Sequence, residues 1–441
     1  VVGIVREPLV RYGARRDKCL SFSTDRGFTE KPNPFGQINV VGTNGVFFIA
    51  VKAKGLTDYL WLPITEFNLA YWRGDRATAT YDLQTIIPGV KALPAVADFH
   101  QTTLDGGAVE LSWRPRNTGE TYTIFKRENA PPRWEVVNGA ENLKTSVFPV
   151  PQTGRYAVVA NDNGKPGAFS AEQRVVILGN PIGITLDPEG RRIVRDERHN
   201  LPIMYNRNGE TIGLFGTFHS NISGGTDIAR MPDGRLLVTI ANKDRQPLFM
   251  LDKDGHFLPD HATAGSWGSG PLQFNNPTGV TVDSQGRVWI ADTGNVRVQV
   301  LDPSLETMIA EAGADCGLKS PAKVAEVSTD LFAVADPEAG RVVLLRIEGA
   351  NCKVVSSVDV ARPVYVAASP TRVFVSDEGK DGKGPGQVIE YSITGGQFQQ
   401  TAVYGPEVKL GTPSGIAYDT KAQSLTIVDR ANRRLLTFPM K

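Results

Sequence analysis

Cysteine is scarce: Cys19, Cys316 and Cys352 are the three in 441 residues, and none stands in a CxxC or Cys/His spacing. That excludes a sequence-encoded zinc ribbon or finger. Cys316 and Cys352 flank one repeat and pair only if the fold brings them together; otherwise they are buried thiols. Long hydrophobic runs are missing too. A membrane helix needs about 18–20 apolar residues, and the longest runs here, such as VFFIAV at 46–51, are strand-sized. Charge of one sign is also lacking: the formal net charge of +1 argues against a generally basic, nucleic-acid-seeking surface. No GxSxG elbow, P-loop or dinucleotide fingerprint appears, and no Ser/His/Asp arrangement stands out. The glycine-rich GSWGSG at 265–270 precedes a strand rather than opening a helix, so it is not a phosphate cradle. Val1 in place of Met, with no apolar leader behind it, reads as a processed or trimmed start.

Amphipathic helical periodicity is the last absence. Short period-2 runs dominate instead, separated by Gly, Pro, Asn and Asp clusters, and this predicts an all-β chain of roughly two to four domains. The 45 Gly and 29 Pro are spread along the chain as turn punctuation. The stretch 276–303, NPTGVTVDSQGRVWIADTGNVRVQVLDP, splits into three alternating runs joined by the turns SQG and TGN. Its skeleton recurs from Asn180, Gly225, Pro321, Arg362 and Thr412. A repeat of roughly 40–50 residues is the length of one four-stranded propeller blade, so six copies predict a six-bladed β-propeller over 179–441.

The turn residues have mechanical roles in this reading. The Gly of PTG and PSG lets the backbone approach a crowded axis where a Cβ would clash. Asp187–Gly190 and Asp283–Gly286 make tight turns between first and second strands. Asp292, Asp336, Asp377 and Asp429 end second strands and accept local backbone N–H bonds. Asn295 and Asn432 are expected to take left-handed backbone before the third strand. The second copy departs most, with Asn242 for the strand-ending Asp and Pro247 near where the third copy has Arg297. The fourth copy lacks the Pro-x-Gly at its start.

On these residues the C-terminal region resembles the NHL repeat, most closely in GSGPLQFNNPTGVTVDSQGRVWIADTGNVRVQVLD. Upstream, 93–178 holds seven short strand-like runs. The placement of Pro94, Trp113, Tyr122, Trp134 and Tyr156 resembles a fibronectin type III domain. That resemblance implies a β-sandwich with Trp113 in its core and Tyr156 making a corner hydrogen bond. Residues 1–92 read as an Arg- and Pro-rich arm followed by a β-rich region, immunoglobulin-like if Trp61 is buried. The last copy ends at TFPMK with no room for a fourth strand. An upstream segment must therefore supply that strand, or the last blade stays short. AEQRVVILG at 171–179 is the nearest candidate, but the sandwich claims it as well.

Function is less sharply drawn. The resemblance to NHL propellers raises a catalytic zinc, as in peptide-amidating lyases, but His199, His219, His256 and His261 all fall in the first two copies. The resemblance to gluconolactonase-like propellers raises a calcium at the mouth, with Asn180, Asp227 and Asn276 as weak ligand candidates, joined by Asp196, Asp292, Asp377 and Asp429. RNA binding is a third family use. Arg191, Arg192, Arg195 and Arg198 lie near Arg430, Arg433 and Arg434 in the ring, but interleaved acids favour a solvated ion-pair surface. Arg73-Gly74-Asp75 spells an adhesion tripeptide that is also plain turn chemistry.

Two readings remain. The first is a non-enzymatic recognition or assembly protein, secreted, periplasmic, at the cell surface or in a virion. Its propeller mouth would bind a protein or glycan, or it would self-assemble as a structural subunit of a virion tail or surface layer. The ligand-binding candidates there are Asn180, Asp227, Asn276, Trp267, Arg195 and Arg430, with Trp267 as an exposed anchor, no catalytic residue and no required cofactor. The alternative is a metal-dependent hydrolase or lyase acting at the mouth.

Overall fold

The computed structural model describes residues 95–129, 132–162, 165–215, 222–258, 265–349, 351–380 and 385–440, together with four strands nearer the N-terminus. Those four, Val2–Arg6, Phe22–Ser23, Phe47–Val51 and Leu60–Ile64, form one antiparallel sheet. The arm, the Trp61 core, Pro94, Arg73-Gly74-Asp75, His219 and His261 lie outside the described residues. Every regular element described is a strand or a short 3-10 turn. The chain divides into two compact units, with residues 103–109 and 176–441 in the second.

In the first unit, Ala97–Thr103, Val109–Arg114 and Val147–Pro149 form one sheet. A second sheet is built on Thr121–Asn129 and Gly154–Asp162. Trp113 of the first sheet meets Tyr122 of the second edge-on, with ring centroids 5.1 Å apart, a geometry aromatic quadrupoles favour. The Tyr156 hydroxyl donates to the Gln152 carbonyl at 2.6 Å, which is the corner bond expected from its position. The segment 171–179 is divided between the two units. Gln173–Val175 pairs with Gly154–Asp162, whereas Val176 and Leu178 pack among Ile184, Val194, Ala417 and Val428 of the second unit.

Among the described residues the second unit holds six successive antiparallel sheets, of four, three, four, four, four and three strands. Their first strands are Pro181–Leu186, Gly225–Arg230, Pro277–Val282, Lys323–Ser328, Pro363–Ser369 and Pro413–Asp419. Each packs against the next, and the sixth packs back on the first, so the sheets close into a ring, the arrangement of a β-propeller. The last sheet has no hydrogen-bonded fourth strand among the described residues. Val176 and Leu178 seal its junction with the first sheet by apolar contact instead.

Apolar side chains on the strand faces fill the space between sheets. Trp289 of the third blade stacks on Phe332 of the fourth, with centroids 3.8 Å apart. Burying a large apolar side chain in this way contributes about 1.5–3 kcal/mol. Its indole N–H is satisfied by Asp283 Oδ2 at 2.8 Å. Asp283 also accepts the backbone N–H groups of Gln285 and Arg287 at 3.0 and 2.9 Å, while Gly286 takes φ +80°. A short carboxylate and one glycine thus fix the hairpin.

The strand-ending carboxylates act as clasps. Asp292 accepts from the backbone of Asn275 at 2.7 Å, from Asn295 Nδ2 at 2.8 Å and from Arg297 Nε at 2.9 Å. Asp336, Asp377 and Asp429 each reach back to the backbone before their own first strands in the same way. In the second blade the Asn242 side chain accepts the Asp244 N–H at 3.0 Å and, among the described residues, no backbone N–H ahead of the first strand. One expectation is corrected. Left-handed backbone falls on Val296 (φ +59°) and Arg433 (φ +51°), one residue beyond Asn295 and Asn432. The amides of those two Asn are spent on Asp292 and Asp429 at 2.8 Å, so the chain reverses at the next position.

Cys316 and Cys352 form a disulfide with Cα atoms 6.2 Å apart. It ties the turn leading into the fourth blade to that blade's outermost strand, Asn351–Asp359.

Candidate functional site

The sequence pattern of the first strands determines what occupies the ring axis. The first-strand residues level with the position just before each second-strand end are Gly183, Asp227, Gly279, Lys323, Tyr365 and Gly415 in blade order. Glycine at three of the six leaves room for the large side chains of the others. A Cβ on Gly183 would stand 2.5 Å from Asp227 Oδ1, and one on Gly279 would run into the Ala322 carbonyl. One on Gly415 would stand 2.8 Å from the Ile182 carbonyl oxygen.

The three polar side chains meet in the space the glycines leave. Lys323 Nζ lies 2.5 Å from Asp227 Oδ2 and donates to the Val280 carbonyl at 2.5 Å. Val280 N–H donates to Asp227 Oδ2 at 3.0 Å. The Tyr365 hydroxyl donates to Asp227 Oδ1 at 2.9 Å and approaches the Ile184 carbonyl at 3.3 Å. The Lys323 ammonium also sits 4.6 Å from the Tyr365 ring centroid, within cation–π range. Burial first, and then the Asp227 charge, push the Tyr365 phenol well above its ordinary range, so it remains a donor. Five blades contribute to this knot, and all three side chains are buried. The result is a corked axis. An ion pair this well hydrogen-bonded is a cross-brace whose polar atoms are engaged with one another.

Around the cork lies the face on which second strands end and first strands begin. Here Glu378 bridges Arg430 at 2.8 Å and Arg362 at 3.2 Å, joining the fifth and sixth blades. Thr226 and Ser414 hydroxyls donate to the next blade's Pro277 and Pro181 carbonyls at 2.7 and 3.0 Å. Arg430 is thus on the face and already paired. Asn180 is half-buried and donates to Glu197 through its side-chain amide. Asn276 is exposed with φ +52°. Asp227 belongs to the axial cork instead, with both oxygens occupied. Among the described residues no hydrogen bond joins Asn180, Asp227 and Asn276.

Trp267, expected as an exposed anchor, is half-buried and donates its indole N–H to the Arg245 carbonyl at 2.5 Å. Arg195 is fully buried at the end of the first blade's second strand. Of the cationic cluster around it, Arg192 and Arg434 are buried as well, whereas Arg191, Arg198 and Arg433 are exposed. Arg192 donates to Thr426 Oγ1 and to the Asn206 and Arg207 carbonyls, and Arg434 pairs with Asp429 at 3.1 Å. His199 bonds the Ile177 carbonyl and His256 pairs with Asp252. Among the described residues, the one group with metal-ligand proximity is Asp315, Cys316 and Cys352, whose two sulfurs are bonded to each other.

Sequence reasoning missed Lys323 and Tyr365. The signal was present: aligning the copies on the register of their first two strands places both where three other copies have glycine.

The family model for the NHL repeat matches residues 274–301. Human NHL repeat-containing protein 3 is 51% identical over 55 residues, which is 12% of this chain and 15% of that protein. Human E3 ubiquitin-protein ligase TRIM32 is 27% identical over 193 residues, or 39% of this chain and 28% of that protein. The chain therefore spans well under a third of each of these relatives. Among solved structures, a streptogramin B lyase aligns with a TM-score of 0.41 at 13% identity, covering 78% of this chain and 93% of that one. The PQQ-bound aldose sugar dehydrogenase from Streptomyces coelicolor aligns with a TM-score of 0.44 at 12% identity, covering 59% and 94%.

Proposed function

We propose that this chain is a non-enzymatic recognition or assembly protein of an extracytoplasmic compartment. In this reading an NHL-type six-bladed propeller (179–441) presents the face bearing Arg362, Glu378 and Arg430 to a protein partner. A fibronectin type III-like module (93–178) serves as its spacer. The observation that carries the reading is the corked axis. Asp227, Lys323 and Tyr365 would be the natural groups to hold a substrate or metal at the centre, and they are engaged with one another. Binding is thereby directed to the face, where NHL propellers typically engage other proteins. The Cys316–Cys352 bond supports an oxidising compartment, where such bonds persist.

The test combines two measurements on the full chain. Cross-linking mass spectrometry in the native source should find partner cross-links at Lys243, Lys319 and Lys409, all exposed near the face. Elemental analysis after exhaustive dialysis should find no stoichiometric metal. One retained equivalent of calcium or zinc, released by Ala at Asn180 and Asn276, would sink the proposal in favour of the hydrolase or lyase.

A further inference from the structure

Arg195 occupies a position that is small or aliphatic in every other blade. Its counterparts beside the second-strand end are Thr239, Ala291, Ala335, Ser376 and Val428. Here a guanidinium enters the junction between the first and second blades and is wholly buried. The facing residue has to be glycine, since a Cβ on Gly225 would stand 2.7 Å from Arg195 Nε.

Among the described residues one of its three nitrogens finds acceptors: Nη1 donates to the carbonyls of Asp196 and His199. Nε and Nη2 have no acceptor among the described residues. These two nitrogens lie on one edge of the guanidinium and offer parallel N–H groups, the fork that grips a carboxylate side-on with two bonds. The nearby acids are already committed. Asp196 takes the backbone N–H groups of Gly179, Asn180 and Arg198, and Glu197 takes the Asn180 amide. Burial pulls the Arg195 pKa down to about 10, which leaves it charged at neutral pH. A buried cation with two idle donors is costly in any fold.

We propose that Arg195 is a binding site for the carboxylate of a small organic acid, held side-on by Nε and Nη2 in the junction between the first two blades. Entry needs that junction to open locally, as sub-global fluctuations allow. Binding is therefore slow and saturable, and it is independent of whatever partner the outer face takes.

The test uses the full chain with 15N-labelled arginine and formate as the probe. Formate should shift the Arg195 Nε–Hε resonance saturably and raise Tm by roughly 2–4 °C at saturation. Sodium chloride at matched ionic strength should do neither. Arg195→Met should fold and lose the formate response, while Arg195→Lys, which keeps the charge without the fork, should bind at least tenfold more weakly. An Arg195 resonance indifferent to formate, with water alone on Nε and Nη2, would overturn the proposal. An equal response to chloride, or an undiminished formate response in Arg195→Met, would overturn it too.

Discussion

Replacing Lys323 by Met keeps most of the side-chain volume and removes the charge that answers Asp227. In the wild type that carboxylate accepts from Lys323 at 2.5 Å, Tyr365 at 2.9 Å and Val280 N–H at 3.0 Å, and it is inaccessible to water. Two neutral donors then remain for a buried anion. Breaking a buried pair from one side costs about 3–5 kcal/mol, a large part of the roughly 5–15 kcal/mol that typically holds a fold together. Changing both partners, Asp227→Leu with Lys323→Met, removes the stranded charge. It leaves Val280 N–H without its acceptor, at about 1–3 kcal/mol. The double variant should therefore be more stable than Lys323→Met alone, with a coupling of about 2 kcal/mol or more. Urea unfolding read by hydrogen exchange in peptides covering Gly225–Arg230 and Lys323–Ser328 isolates the ring from the other unit. If Lys323→Met lay within about 1 kcal/mol of wild type, or if the two changes simply added, the cork would not be a coupled network.

Gly279→Ala should destabilise the ring by about 1–3 kcal/mol through overpacking against Ala322 and Lys323. Gly119→Ala, whose new Cβ would meet nothing closer than 3.6 Å, should stay within about 0.5 kcal/mol by the same denaturant assay. Reducing the Cys316–Cys352 bond, which closes a separation of 36 residues, should cost about 2–4 kcal/mol. Exchange should accelerate first in Asn351–Asp359 if that strand is tethered as described. Burial, reinforced by the bond to Glu120, pushes the Tyr122 phenol up to about 12. The folded first unit thus holds this proton more tightly than the unfolded chain. The resulting stability is complete below pH 10 and is lost as pH rises through 12. Exchange in Thr121–Asn129 measured across that window should show the loss in wild type and a shallower one in Tyr122→Phe; equal slopes would refute it.

The ring was legible because its punctuation is local. A turn built on Asp283 and Gly286, or a clasp built on Asp292, is decided by residues a few positions apart or just ahead of the first strand. Six such copies predict six blades, and six antiparallel sheets form among the described residues. The same template hid the axis. The glycine of PTG and PSG marks the close approach, but Lys323 and Tyr365 stand at the same register and their side chains fill the space the glycines leave. Asp227 was singled out, but its level along the axis depends on partners 96 and 138 residues away. Arg195 was chosen for its charge, yet its direction into a blade junction depends on the register that pairs it with Gly183. Pairing of Cys316 with Cys352 likewise needed the fourth blade's outermost strand to fold back beside its entry turn.

Tyr365 in the fifth blade bonds to Ile184 in the first and to Asp227 in the second. During synthesis, a nascent chain that ends before residue 365 carries Asp227 and Lys323 without the aromatic lid that completes their hub. In open solenoids each module leans only on its neighbours and can mature in order of emergence. Here the earliest modules wait for a late one, so fragments lacking the fifth blade cannot assemble a finished centre.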